Sequence, residues 1–260
     1  MSSVTYRDGI AILQLIIFPF ILVAALFIWK RTGWKAGSKI WRFAVTLSLI
    51  RIAGSISSLL TISHDSRDVE VAVAVCELIG IAPLLLTYVG LLRQIDTQQS
   101  MHPRFLNSVA IICFIGLILG VAGVSSGSDN ESTYRPDSIV KASMGIFLAV
   151  FVVILLITVW LFVRLRPSMR AFQKKLFLAI VISCPFLLIR LIYSAIGDYT
   201  TDARFTVLVG SPTIYLCMDV LEEIAAMVIT MGLGISAVLE KDYVQVTSAG
   251  GSLEGKVGEV

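Results

Sequence analysis

Ile139–Val163 reads IVKASMGIFLAVFVVILLITVWLFV and carries a single charge, Lys141, near its start. At about 1.5 Å per residue, a helix of this length covers the roughly 30 Å hydrocarbon core of a bilayer. Backbone N–H and C=O groups in lipid must be satisfied within the segment, so such a run is a helix and not a loop. Working outward, six further segments qualify: Ile10–Trp29, Ile40–Ser63, Val69–Leu92, Phe105–Val124, Lys175–Ile196 and Pro212–Leu239. The expectation is an all-α integral membrane bundle of seven transmembrane helices within residues 1–240. A Gly-rich tail over 241–260 reads as disordered. The first segment is too long for a signal peptide, and Lys30-Arg31 stands where a small-residue cleavage site would be.

Composition supports this reading. Of the 260 residues 57% are hydrophobic and 15% charged, against about 25% charged in a soluble domain. That excludes intrinsic disorder and a disulfide scaffold, and argues against an ordinary soluble enzyme. The net charge of +3 is too small to call for a nucleic-acid partner. Cys76, Cys113, Cys184 and Cys217 all lie in apolar runs and read as small hydrophobes. His64 and His102 fall in separate loops. No zinc spacing, phosphate-binding loop or serine-hydrolase elbow occurs, so neither a metal nor a cofactor is expected. Gly116, Gly120 and Gly123 share one face of the fourth segment and read as a helix-packing surface.

Basic residues give the expected topology. With alternating crossings, one side receives 14 Lys and Arg and the other five, while Arg51 and Arg190 stay inside the membrane. The positive-inside rule then puts the C-terminus in the cytosol and the N-terminus outside or in a lumen. The sequon Asn130-Glu131-Ser132 falls on the outer side, which makes the chain a candidate glycoprotein.

The charges inside the spans carry the functional signal. Arg51, Glu77, Arg190, Asp219, Glu222 and Glu223 interrupt apolar segments away from their ends. Charges at such depth are costly, face the bundle interior, and mark functional sites. Counted at 1.5 Å per residue from the outer ends, Arg190 lies ~9 Å deep, Glu77 ~12 Å and Arg51 ~18 Å. Asp219, Glu222 and Glu223 stand at i, i+3 and i+4, and Tyr215 precedes them by one turn, which predicts one shared face. Ser48, Arg51, Ser55 and Ser58 make a similar polar stripe, as do Arg190, Tyr193 and Ser194. Gly80 leaves room one turn after Glu77. Two arginines facing four carboxyls leave two carboxyls without a basic partner. The expectation is that at least one of Glu77, Asp219, Glu222 and Glu223 keeps its proton at neutral pH, as a general acid requires. A purely structural clamp of Arg–carboxylate pairs is the alternative for the same residues.

Four stretches carry a resemblance: LIRIAG at Leu49–Gly54, ELIGIAPL at Glu77–Leu84, RLIYS at Arg190–Ser194 and MDVLEE at Met218–Glu223. Over about Asp8–Leu239 the chain resembles a group of fungal seven-helix integral membrane proteins. That group borders the membrane-bound terpene cyclases of ascochlorin and ascofuranone type. The resemblance implies a metal-independent meroterpenoid cyclase or isomerase of secondary metabolism, seated in the endoplasmic reticulum or another endomembrane. Its partner would be a hydrophobic isoprenoid, with a prenyl epoxide entering from the lipid bilayer. On this reading Glu77, Asp219, Glu222 and Glu223 supply acid and base. Arg51 and Arg190 orient them, and Tyr193 and Tyr215 offer ring faces to a cation. The residues alone also permit a seven-helix receptor or sensor, or a proton-coupled transporter, and they leave the oligomeric state open.

Overall fold

The computed structural model describes residues 5–38, 40–60, 76, 79–97, 100–126, 138–200 and 210–243. Glu77, the sequon at Asn130, most of the first half of the expected third span, and the tail from 244 lie outside the described residues.

Every regular element among the described residues is helical. The order is α1 (Tyr6–Thr32), a short α2 (Trp34–Gly37), α3 (Arg42–Leu60), α4 (Ile81–Ile95), α5 (Pro103–Ser126), α6 (Ser138–Leu165), α7 (Ala171–Tyr199) and α8 (Pro212–Val238). Six of these are long and apolar enough to cross a membrane, and α4 is a shorter apolar helix.

Local chemistry sets the ends. The Asp8 carboxylate accepts from the Thr5 backbone N–H at 2.7 Å, which satisfies a donor that the first turn of α1 leaves open. Gly33 ends α1 at φ 92°, a backbone angle that a side chain would strain. At the start of α7, Gln173 accepts from the Arg170 N–H at 2.9 Å. Its amide also donates 2.7 Å to the Ile95 carbonyl, which ties the end of α4 to α7.

α4 is the axis of the bundle. Fourteen of its 15 residues are buried, and Arg93 alone is not. It touches α3, α5, α6 and α7, while α1 runs beside α3 and α8, and α8 runs beside α7. The outer helices turn apolar faces outward instead of polar ones. Phe20 is 73% exposed and Val163 69%, and Ile16, Val23, Leu156 and Val159 continue their stripes. In water each such side chain forgoes about 1.5–3 kcal/mol of burial. Lipid removes that penalty, so the described helices have the surface of a membrane bundle.

The glycine face of α5 packs as its spacing predicts. A Cβ on Gly123 would meet Val140 at 2.7 Å, one on Gly120 the Ser143 Oγ at 2.9 Å, and one on Gly116 the Ile146 side chain at 3.0 Å. Ser143 donates to the Gly116 carbonyl at 2.6 Å across the same contact. Gly120→Val is therefore expected to separate α5 from α6 and cost about 1–3 kcal/mol, read as a lower melting point in detergent.

The ordered chain continues past α8. Asp242 accepts from the Ala171 N–H at 2.8 Å, and the Tyr243 ring packs edge-on against Phe172. Tyr243 also donates 3.3 Å to Thr32, so residues 241–243, assigned above to the tail, anchor to α1 and α7. Burial pushes the Tyr243 phenol above its ordinary range, partly offset by the Thr32 contact. The neutral phenol is the bound form. This anchor therefore contributes fully below the ordinary tyrosine range, near pH 10, and weakens as pH rises through the raised value. Tyr243→Phe should abolish that alkaline sensitivity in pH-dependent melting.

Candidate functional site

Four of the predicted residues meet in the bundle interior. Arg51 of α3 donates to Glu223 through Nε at 2.8 Å and Nη2 at 2.6 Å, a two-point grip on one carboxylate. Arg190 of α7 reaches the same carboxylate through Nη1. Its Nε lies 3.3 Å from Asp219, and Arg51 Nη2 lies 3.9 Å from that second acid. Arg190 is 0% exposed, Glu223 1%, Arg51 2% and Asp219 4%. Among the described residues two guanidiniums and two carboxylates meet here, and their charges sum to zero. That balance permits this depth, because a buried charge left uncompensated is among the costliest features a fold can carry.

Three local features position the quartet. Residues 216–220 of α8 form a π-turn, closed by the Leu221 N–H on the Leu216 carbonyl, and Asp219 sits within it. The widened turn ends three residues before Glu223, and such bulges concentrate at functional sites. Gly80, just ahead of α4, supplies the space. A Cβ there would stand 2.5 Å from Arg51 Nη2 and 2.9 Å from Arg190 Nη2. Both guanidiniums therefore pack on the bare backbone that enters the central helix. Along α3, Ser48 and Ser55 donate back to their own helix at Ala44 and Arg51, and Ser55 also meets Gln14 of α1 at 3.1 Å. This stripe is a helix contact around Arg51.

The other predicted residues divide. Tyr193 is fully buried and Tyr215 is 7% exposed, both on helices of the quartet. Glu222 is separate. Neither arginine reaches it, it is only half-buried, and its Oε2 finds no hydrogen-bond partner among the described residues. Of the three acids expected on one face, the arginines meet Asp219 and Glu223 and leave Glu222 aside. Spacings of three and four residues lie on opposite sides of a perfect turn, and the arginines select the fourth position.

Asp198 was not among the predicted residues. α7 continues to Tyr199, beyond the expected end at Ile196, so Asp198 falls inside the helix and is only 8% exposed. It stands eight residues after Arg190, with Ser194 between them at the i+4 step, on one face of α7. That periodicity was the signal available in the sequence. Ser194 and Asp198 line a small, partly open cleft among α4, α5, α6 and α7. Its remaining wall is almost wholly apolar, with Ile79 and Ile81 flanking Gly80, and with Met144 and Phe147 opposite. The quartet and the cleft thus share the start of α4 and one face of α7. Asp198 forms no hydrogen bond or salt bridge among the described residues, although the positive charge of Lys141 acts on it.

No curated protein and no solved structure matches the chain. Residues 4–241 match the model of a protein family described as Domain of unknown function (DUF7702).

Proposed function

The chain belongs to the DUF7702 family, and from the geometry of its site we propose a membrane-embedded enzyme that rearranges an apolar isoprenoid by proton transfer. The observation that carries the reading is Asp198, a buried carboxyl outside the ion-pair quartet, set in the wall of an apolar cleft. Asp219 and Glu223 are committed to arginines, which makes them poor acids and good scaffolding. The acid role expected of them passes to Asp198, with Glu77 as the second carboxyl assigned from sequence.

The substrate class follows from the wall. Ile79, Ile81, Leu117, Met144 and Phe147 offer hydrocarbon contact and no hydrogen bonds, and the bilayer supplies ligands of that kind. For a prenyl epoxide the chemistry balances within the site. Protonated Asp198 gives its proton to the epoxide oxygen as a C–O bond breaks, which leaves a tertiary cation and the Asp198 carboxylate. A double bond of the same chain closes on the cation to form the C–C bond of a ring. Loss of a proton from the cyclised cation to the carboxylate restores the acid, so the product is an isomer of the substrate. Phe147 provides a ring face toward positive charge, and the apolar wall keeps water from ending the reaction early. This is the activity implied by the resemblance to membrane-bound terpene cyclases. We place the C-terminus in the cytosol, following the distribution of Lys and Arg, and the enzyme in an endomembrane, following the resemblance.

The test uses microsomes from yeast expressing the chain, fed with free and aryl-linked farnesyl epoxides. Wild type should give a product of unchanged mass and shifted retention in LC–MS. Asp198→Asn should reduce it about 10²–10⁴-fold, the usual contribution of a general acid. Full turnover by a folded Asp198→Asn variant would remove Asp198 from the chemistry. A receptor or transporter is the second reading, favoured by the quartet's mutual compensation, which also suits a simple helix clamp. Ligand-dependent signalling or pH-driven uptake without turnover would establish it.

A further inference from the structure

The helices around α4 leave one seam. α3 and α5 both pack on α4 but form no substantial helix contact with each other. The Phe43 and Phe114 rings, 6.1 Å apart, bridge them. The seam holds a cavity of about 290 Å³ that opens outward, floored by Leu86, Val89 and Gly90 of α4. Two arginines stand in it. Arg42 lies over the Phe43 ring at 4.7 Å, and Arg93 donates to the Asn107 side chain at 2.6 Å. Among the described residues no carboxylate pairs with either one. Arg93 is the one residue of α4 that is not buried.

We infer that this seam binds an anionic glycerophospholipid, with its phosphate between Arg42 and Arg93 and an acyl chain along Phe43, Val89, Ala110 and Phe114. The case rests on complementarity. Two like charges share a pocket with no carboxylate paired to either among the described residues, beside a hydrocarbon groove that faces the bilayer. Arginine forks suit phosphate oxygens. Arg42 and Arg93 also lie on the side that collects 14 of the basic residues, where the leaflet is rich in anionic lipid. This inference is independent of the proposed reaction, which uses a different cleft.

The test is native mass spectrometry of the full chain released from mixed micelles holding equal phosphatidylinositol and phosphatidylcholine. Wild type should retain one phosphatidylinositol at least tenfold over phosphatidylcholine. The Arg42→Gln/Arg93→Gln variant should lose that preference, and inorganic phosphate alone should not displace the lipid. Ala110→Trp, which fills the groove and leaves both arginines in place, should also reduce retention. It carries the test if the double variant does not fold. Equal retention of the two lipids by wild type would overturn the inference. So would unchanged preference in either folded variant, or displacement by phosphate alone.

Discussion

Replacing Glu223 by alanine is expected to cost about 3–5 kcal/mol, the range for breaking a buried ion pair from one side. Glu223 is the hub of the quartet. It holds Arg51 at two points and meets Arg190 as well. Without it, among the described residues, two guanidiniums at 2% exposure or less have one carboxylate, Asp219, which they reach only at 3.3 and 3.9 Å. Asp219→Asn should be milder, about 1–2 kcal/mol, because the amide keeps its volume and Glu223 still binds both arginines. Melting of purified protein in detergent would rank the two. Adding Arg51→Met to Glu223→Ala should recover part of the loss, since one uncompensated charge is then gone. A strictly additive double variant would show that the pair does not couple.

Gly80→Val is the second large effect. The first added carbon already lies within 3 Å of nitrogens from both arginines, and valine branches there. Neither guanidinium can retreat without loosening its carboxylate, so relief at one contact moves cost to another. Overpacking of this kind runs about 1–3 kcal/mol in ordinary cores. The upper end is expected here, because the displaced groups are charged. Gly80→Ala should show a smaller loss in the same direction. Thermal melting reads both. A Gly80→Val protein as stable as wild type would mean that the arginines have room elsewhere.

Much of this arrangement is legible in the chain, for reasons that differ by element. α6 is read from its own 25 residues, since few structures other than a spanning helix accommodate such a run. Arg51, Arg190, Asp219 and Glu223 stand out because charge is scarce in the apolar segments. Pairing was less accessible. Glu222 and Glu223 are neighbours in sequence, and the π-turn that begins at Leu216 sets the rotation of α8 by a backbone choice that apolar spacing does not encode. Asp198 sits two residues past the expected end of its span, where polarity reads as a loop. Burial of α4 is invisible for another reason. Hydropathy reports that Ile81–Ile95 avoids water, but lipid and protein satisfy that demand equally.

The quartet joins parts of the chain that are made at very different times. Arg51 and Glu223 are 172 residues apart. At about 5–20 residues per second, α8 leaves the ribosome ~10–35 s after α3. Until then the guanidinium of Arg51 has none of its α8 partners, so the early helices cannot settle into their final arrangement. Arg190 arrives before α8 as well, and among the described residues the carboxylates that meet both arginines, Asp219 and Glu223, come with the last helix. A nascent chain halted before α8 thus lacks both carboxylates of the quartet. Completion of synthesis, more than insertion of any one helix, closes this bundle.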